Sequence, residues 1–129
     1  MIKIGLALLC LLITGCVSEV IKNDASPLIE GDVTMPVSLP RTANIELSLF
    51  TVVEGKVLIV GEMNYRLDML PLIFSMRLNP QFSHDELFLR TRLRWDGKRA
   101  VQAKSQQRIV TGKRIVVQLS LFPCYPECL

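Results

Sequence analysis

The residues best suited to acid–base chemistry stand together at His84, Asp85 and Glu86. An imidazole beside two carboxylates could serve general acid–base catalysis, and a Ser-His-Asp arrangement could use only His84, because the 129 residues include a single histidine. Adjacent loop residues do not converge on one substrate atom, so these three are more typical of a polar turn that opens the next strand. With one histidine a His-rich metal site is excluded as well. The sequence therefore predicts no enzyme, no metal and no small-molecule substrate.

An export signal is predicted for residues 1–15. Lys3 lies in a short positive start, and residues 4–13 form an apolar run of ten. A membrane-spanning helix needs about 20 apolar residues, so this run fits a cleaved signal peptide. Residues 13–16, Ile-Thr-Gly-Cys, resemble the lipobox of bacterial lipoproteins, which implies cleavage before Cys16 and covalent lipid on its sulfur and new amino terminus. The alternative is an ordinary secretory signal that leaves Cys16 as a thiol or a disulfide partner.

The number of cysteines favours lipid on Cys16. Cys10 would leave with the signal, Cys16 would be lipidated, and Cys124 and Cys128 would remain as a pair. In an oxidising periplasm we expect Cys124 and Cys128 to form a disulfide, whose short loop contributes at most about 2 kcal/mol. A C-x-x-C redox motif has two intervening residues, whereas this pair has three. The bond is therefore predicted to pin the tail, and the covalent lipid is the only non-protein group expected.

The residues after Cys16 predict where the protein works. Three acyl chains would make release from a membrane negligible. The next residue is Val17, not the aspartate that resembles an inner-membrane retention signal, which implies the outer membrane with the domain facing the periplasm. Residues 16–27 are interpreted as the lipidated terminus and a flexible tether, and residues 28–129 as one domain.

From residue 31 onward the hydrophobic pattern has a period of two. Seven strands are predicted, over residues 31–37, 44–53, 57–65, 72–78, 86–95, 98–106 and 114–122. Hairpin turns are predicted at Asp96-Gly97 and at residues 54–56 and 111–113. On the strand after Asp96-Gly97 we expect Val101, Ala103 and Ser105 to face inward. The fold class is therefore all-β, an antiparallel β-sandwich, with a barrel as the alternative.

The order of these features resembles a known family. It runs from Leu39-Pro40 through the alternating residues 43–49, a hairpin, residues 70–74 (Leu-Pro-Leu-Ile-Phe) and the strand at 87–93 to the Asp-Gly turn. This order behind a lipobox resembles the YbaY/YscW group of small bacterial lipoproteins, and within it the type III secretion pilotins of the YscW and ExsB type. The resemblance implies a lipoprotein that binds the carboxyl-terminal segment of the secretin and promotes its ring assembly in the outer membrane. No binding residue can be carried over from it.

Three functions remain open at this point. The first is the secretin pilotin, and the second is a general YbaY-like envelope lipoprotein that binds another periplasmic partner or a glycan. The third is a small inhibitor or enzyme of the cell wall, which short loops and scattered polar residues disfavour. A formal charge of +3 is too small for a bulk nucleic-acid binder.

A row of arginines is the candidate partner-binding surface. Arg90, Arg92 and Arg94 share one face of a predicted strand with Phe88, and Lys98 and Lys104 are expected beside them on the return strand. Residues 90–114 contain nine Lys or Arg residues and one acid. The row could meet an acidic partner segment, anionic head groups or only water, and Phe88 could anchor a partner or lie under a loop. A solvated face is the favoured interpretation, and partner contact is the functional one.

The methionines are a further candidate feature. Four of them, Met35, Met63, Met69 and Met76, are expected to fill the interior of the sandwich. The alternative is a Met-lined groove, which would suit a helical guest. Trp95 is expected to cap the core beside the Asp-Gly turn.

Overall fold

The computed structural model describes residues 26–129, which form eight β-strands and one 3₁₀ turn. The predicted signal, Cys16 and the tether up to residue 25 lie outside the described residues. The strands are β1 (Leu28–Thr34), β2 (Ala43–Val53), β3 (Lys56–Leu67), β4 (Leu72–Arg77), β5 (Leu87–Trp95), β6 (Val101–Ile109), β7 (Ile115–Gln118) and β8 (Ser120–Leu121), and the 3₁₀ turn is Pro80–Phe82. Within this part of the chain, no helix combines the length and apolar character needed to cross a bilayer.

Two sheets form the predicted sandwich. The smaller has the order β4-β1-β7 and the larger β3-β2-β5-β6-β8. All pairs are antiparallel except β1 with β7, which the sequence pattern did not indicate. Gly31 lies opposite Ile115 in that parallel pair, and a Cβ atom on Gly31 would stand 2.1 Å from the Ile115 carbonyl oxygen. Glycine is therefore required where these two strands meet.

The last predicted strand is divided between the two sheets. β7 pairs with β1 in the small sheet, and β8 pairs with β6 in the large one. Leu119 lies between them, 1% exposed, and its N–H donates to the Thr34 carbonyl at 2.9 Å. The alternation continues through this crossing because the apolar positions of both strands face the same core. The turn at Thr111 and Gly112 consequently joins two sheets, so the hairpin predicted there is wrong.

The core lies between the inward faces of the two sheets. It contains Ile29 and Val33 of β1, Phe74 of β4, Ile115 and Val117 of β7, Ile45, Leu47 and Leu49 of β2, and Leu89 and Leu93 of β5. At about 25 cal/mol per Å² of apolar surface removed from water, this alternating set is the main source of stability. The period-two prediction is confirmed by these strands.

Register along β2 and β5 defines two ends of the sandwich. Ala43 lies opposite Trp95 at one end, and Phe50 lies opposite Phe88 at the other. We call the first the groove end; it holds the loops 35–42, 68–71 and 96–100 and the tail 122–129. We call the second the tether end; it holds the start of β1 at Leu28 and the β2–β3 hairpin turn at residues 54–55.

A β-bulge in β6 makes the strand after the Asp96-Gly97 turn differ from the predicted one. Arg94 pairs with Val101 and Leu93 with Ala103, so Gln102 is an extra residue in the ladder. β6 begins only at Val101, and the expectation that Lys98 lies on this strand is wrong. The bulge turns the Gln102 side chain inward, where it is 1% exposed.

Candidate functional site

An open groove of about 570 Å³ separates two loops at the groove end. One wall is the β1–β2 loop with Met35, Val37 and Leu39, and the other is the β3–β4 loop with Met69 and Leu70. Met69 is 75% exposed and Val37 43% exposed, so the apolar rim faces water. The expectation that Met69 fills the interior is wrong, because β3 ends at Leu67 and leaves the loop above the core. Concave apolar surfaces of this size are typical binding sites.

A hydrogen bond, three prolines and packing against the core hold the two walls of the groove in place. The Thr42 hydroxyl donates to the Asp68 carboxylate and thereby joins the two loops. Pro36, Pro40 and Pro71 fix φ along the walls. Below the rim, Met35, Leu39 and Leu70 pack against the core. The groove is therefore an opening whose floor continues into the hydrophobic interior.

Three cations surround a second depression beside the groove. We call Arg41, Lys98 and Arg99 the basic corner; with Trp95 they line a depression of about 360 Å³. The Arg41 guanidinium lies 5.1 Å from the centre of the Trp95 ring. All three side chains are exposed, and none has an acidic partner within 4.0 Å among the described residues.

The tail is fastened over this end of the core. Cys124 and Cys128 are joined in a disulfide, with Cα atoms 4.9 Å apart. The Trp95 indole N–H donates to the Pro126 carbonyl at 2.9 Å. The Gln102 amide donates to the Cys128 carbonyl at 3.0 Å, and its oxygen accepts from the Cys128 N–H at 3.2 Å. We call these four contacts the tail clasp, and it forms one wall of the basic-corner depression.

Sequence reasoning missed Gln102. The alternation placed Val101 and Ala103 inward and Gln102 outward, whereas the bulge buries Gln102. No local signal in the sequence marks this bulge. Trp95, expected at the edge of the core, is 3% exposed beside the Asp96-Gly97 turn.

The Asp96-Gly97 turn is held by polar contacts. Asp96 accepts hydrogen bonds from Arg66 at 2.9 Å and from Asn44 at 3.2 Å. These bonds, the Arg66 bond first, hold the pKa of Asp96 below its usual value. The turn that carries the basic corner is thus joined to β2 and β3.

The arginine row lies on the outer face of β5, where the sequence pattern placed it. Arg92 donates from Nε to the Glu46 carboxylate at 2.9 Å, and Arg94 Nη1 lies 3.7 Å from the same carboxylate. Arg94 Nε also donates to the Arg99 carbonyl at 3.0 Å. Two members of the row are therefore engaged within the domain. Glu46 was not foreseen as their partner because the order of strands in the sheet is not visible in the sequence.

Phe88 and Arg90 lie together at the other end of the row. The Phe88 ring stacks on Phe50 with centroids 5.4 Å apart. The Arg90 guanidinium lies 5.9 Å from the Phe50 centroid, and its Nε is buried with no hydrogen-bond partner. Lys104 of β6 lies opposite Arg92 and is exposed, so this part of the row remains basic.

The acid–base triplet forms a polar turn. His84 and Asp85 are exposed between the 3₁₀ turn and β5. Glu86 pairs with Arg108 at 3.3 Å, and its carbonyl accepts from the Thr51 hydroxyl at 2.7 Å. Asp85 and Glu86 line a shallow depression beside Val52 and Phe88, but His84 is not part of its lining. No group of three or more potential metal ligands occurs among residues 26–129.

The fold is similar to a solved structure. An alternative pilotin from the type II secretion system of Vibrio cholerae superimposes with a TM-score of 0.59 over 73% of this chain and 95% of that chain. The two are 17% identical, so the similarity concerns the fold alone.

Sequence comparisons give closer relatives. A type 3 secretion system pilotin of Yersinia enterocolitica is 42% identical over 101 residues, which cover 78% of this chain and 76% of the relative. A type 3 secretion system pilotin of Pseudomonas aeruginosa is 34% identical over 121 residues, which cover 93% and 88%. Residues 24–121 match the YscW family, described as type III secretion system lipoprotein chaperones. The resemblance seen in the strand order is confirmed, and the chain belongs to the YscW family.

Proposed function

We propose that this chain is an outer-membrane pilotin that binds the carboxyl-terminal segment of a secretin. Lipid on Cys16 would anchor the chain, with the domain in the periplasm. The chain would then promote outer-membrane targeting and ring assembly of secretin subunits. Family membership supports the class of function. The observation that carries the proposal is the groove with exposed Val37 and Met69 on its rim, at the end of the sandwich away from the tether.

The groove suits an amphipathic helix. Met35 and Met69 line it from two sides, and its floor continues into the core. Flexible, polarisable methionines adapt to the side chains of a guest. A helix that lays one face in such a groove buries that face and leaves the other in water. A secretin segment held in this way is protected from aggregation while the acyl chains determine the membrane it reaches.

The charges beside the groove predict the chemistry of the guest. Arg41 belongs to the same loop as the groove wall, and Lys98 and Arg99 face it across Trp95. Cations without acidic partners attract a complementary potential and raise association rates. We therefore expect acidic residues on the part of the secretin segment that leaves the groove at this side.

A binding titration with matched variants tests the groove. The protein is the full mature chain with Cys16→Ser, and the probe is a fluorescent peptide with the sequence of the secretin carboxyl-terminal segment. Met69→Asp places a charge on the groove rim and is expected to weaken binding at least tenfold. Ile73→Asp is the control, since Ile73 is 70% exposed on the outer face of β4, away from the groove.

Two outcomes would contradict the proposal. Equal affinity of the two aspartate variants would remove the groove as the site. Absence of binding by a folded chain without these changes would instead favour the alternative function, a general envelope lipoprotein with another periplasmic partner. In cells that lack the chain, we expect secretin multimers to be lost.

The row Phe88, Arg90, Arg92 and Arg94 is a second proposed contact for the partner. The favouring observation is Arg90, whose buried Nε has no hydrogen-bond partner in the domain. Arg90→Glu leaves the pairs of Glu46 with Arg92 and Arg94 intact, so it tests contact without breaking them. Unchanged peptide affinity and secretin targeting would leave the row a solvated face.

A further inference from the structure

A second uncovered apolar surface lies at the tether end, on the tip of the β2–β3 hairpin. Five aliphatic residues flank the turn at residues 54–55: Val52 (50% exposed), Val53 (47%), Val57 (60%), Leu58 (43%) and Ile59 (46%). No described segment covers them. Five clustered, half-exposed aliphatic side chains indicate an interaction surface, whereas single exposed ones are ordinary.

Apolar side chains lie on both faces of the tip. Val52 lies opposite Val57, and Phe50 lies opposite Ile59, so these four side chains share the outer face. Thr51 lies opposite Leu58, and Val53 opposite Lys56, on the inner face. The Val52 and Val53 side of the tip borders a shallow depression of about 340 Å³ that Asp85, Glu86 and Phe88 also line, whereas Val57, Leu58 and Ile59 lie outside it. A peptide laid on one face would leave the apolar side chains of the other in water, whereas a lipid layer covers both.

The start of the domain is fixed at this same end. The Arg77 guanidinium donates to the Ser26 carbonyl at 3.1 Å, and the Leu78 N–H donates to the Pro27 carbonyl at 2.9 Å. Ten peptide steps separate Cys16 from Ser26. Even a fully extended chain of that length spans only about 35 Å. A lipid on Cys16 would therefore keep the start of the domain within about 35 Å of the bilayer surface, a distance that lets the tip at the same end reach the lipid.

We propose that the tip of the β2–β3 hairpin inserts into the leaflet that holds the acyl chains of Cys16. The proposal rests on the lipid attachment proposed above. Glu54 and Lys56 flank the turn glycine and give it no net charge, and the lysine stem can lie along apolar surface with its ammonium among the head groups. The domain then has two membrane contacts, a covalent one and an apolar one.

The second contact orients the groove. β2 has 11 residues from the groove end to the hairpin turn, and at about 3.3 Å per residue it is about 35 Å long. A domain held only by a tether tumbles, whereas one with an inserted tip presents its groove away from the lipid. A secretin segment is then received in the periplasm at a fixed distance from the membrane.

Site-specific fluorescence of the lipidated chain in vesicles tests the insertion. Val57→Cys at the tip and Lys98→Cys at the groove end each introduce one free thiol for a polarity-sensitive dye, since Cys124 and Cys128 are bonded to each other. The vesicles contain phosphatidylethanolamine and phosphatidylglycerol. We expect the dye at position 57 to shift to the blue and to resist iodide quenching severalfold better than the dye at position 98. Adding Val52→Asp to the Val57→Cys chain is expected to abolish that protection.

The outcomes separate this inference from the function proposed above. If the chain floats with the vesicles but both dyes are quenched alike, the insertion is wrong and the lipid anchor stands. If the chain does not float, the lipid anchor itself fails, and the insertion with it. Protection of position 57 by the secretin peptide without vesicles would show that the tip is a protein contact and overturn the insertion.

Discussion

The two ends of the sandwich are built differently. At the groove end the loops and tail are joined by the tail clasp, by the pair Thr42 and Asp68, and by the bonds of Arg66 and Asn44 to Asp96. At the tether end the hairpin tip exposes aliphatic side chains on both faces. A concave site must keep its shape before its guest arrives, which requires directional polar bonds. A tip that enters lipid needs only apolar surface on a stable turn.

The two ends are expected to differ most in the free energy of unfolding that is lost when one large side chain at each end is truncated to alanine. Trp95 is 3% exposed, contacts the Tyr125 ring and bonds to the tail. Trp95→Ala is expected to lower the free energy of unfolding by about 3–5 kcal/mol. Leu58→Ala at the half-exposed tip is expected to change it by about 0.5 kcal/mol or less. Urea denaturation followed by far-UV circular dichroism measures both, and equal losses would erase the contrast between the ends.

The buried amide of Gln102 gives the next largest effect. Gln102→Leu keeps most of the volume but leaves the N–H and C=O of Cys128 without partners. Each unsatisfied group costs about 1–3 kcal/mol, so we expect a loss of about 3 kcal/mol in the free energy of unfolding. Gln106→Leu is the matched control, because Gln106 is exposed on the same strand. A Gln102 variant as stable as the Gln106 variant would mean that the clasp does not stabilise the groove end.

The disulfide between Cys124 and Cys128 is expected to stabilise the groove end and to leave the tether end unaffected. Replacing both Cys124 and Cys128 by Ser is expected to cost at most about 2 kcal/mol, since the closed loop is short. Amide exchange should become faster at Tyr125 and Cys128 and stay unchanged in the hairpin tip at Val53. Titration of thiols in the lipidated chain that keeps Cys124 and Cys128 should find none free. Faster exchange at both ends would show that the tail supports the whole sandwich.

The strands could be predicted well from the sequence because the alternation of buried and exposed side chains along a strand is visible in consecutive residues. The sequence did not predict which strands are neighbours. The arginine row was therefore seen as unpaired, although the strand order places Glu46 opposite Arg92. The alternation also could not show that residues 114–122 form two strands in different sheets, because Leu119 would face the core in one continuous strand as well.

The candidate site was harder to predict than the fold. Phe88 and Arg90 were found from their face of one strand, but the groove depends on where strands end. β1 ends at Thr34, earlier than predicted, so Met35 and Val37 lie in the wall of the groove and not in a strand. The bulge that buries Gln102 depends on the fit of β6 to β5, which is a tertiary property. Positions that line an opening follow from packing between distant segments.

Protonation of Asp96 in acid is expected to lower the stability of the domain by a smaller amount. Bonds from Arg66 and Asn44 lower the pKa of Asp96 in the folded chain. The stability that these bonds contribute is therefore present above the unfolded pKa of about 3.9 and lost as the pH falls through the folded value. Asp96→Asn should reduce the difference in urea midpoint between neutral and strongly acidic solution. Asp85→Asn at the tether end is the control, since the Asp85 side chain has no polar partner among the described residues, and an equal reduction there would contradict a special role of the Asp96 turn.

Removing the Tyr125 hydroxyl is expected to have the smallest effect on the free energy of unfolding, and it tests whether the ring or the hydroxyl of Tyr125 holds the tail. The Tyr125 hydroxyl is buried without a hydrogen-bond partner, and burial raises its pKa, with a smaller opposing effect of Arg41. Tyr125→Phe keeps the ring contact with Trp95 and removes the unsatisfied group, so the free energy of unfolding at neutral pH should stay within about 0.5 kcal/mol. Because the folded pKa is raised, the original chain should lose stability as the pH rises above about 10, and the Phe variant should not lose this part. A large loss at neutral pH would show that the hydroxyl holds the tail through a bond. If the variant is as stable as expected, the tail is held by the Tyr125 ring, the Trp95 indole and the Gln102 amide. The groove end then keeps its shape through several contacts, whereas the hairpin tip has the bond from the Thr51 hydroxyl to the Glu86 carbonyl.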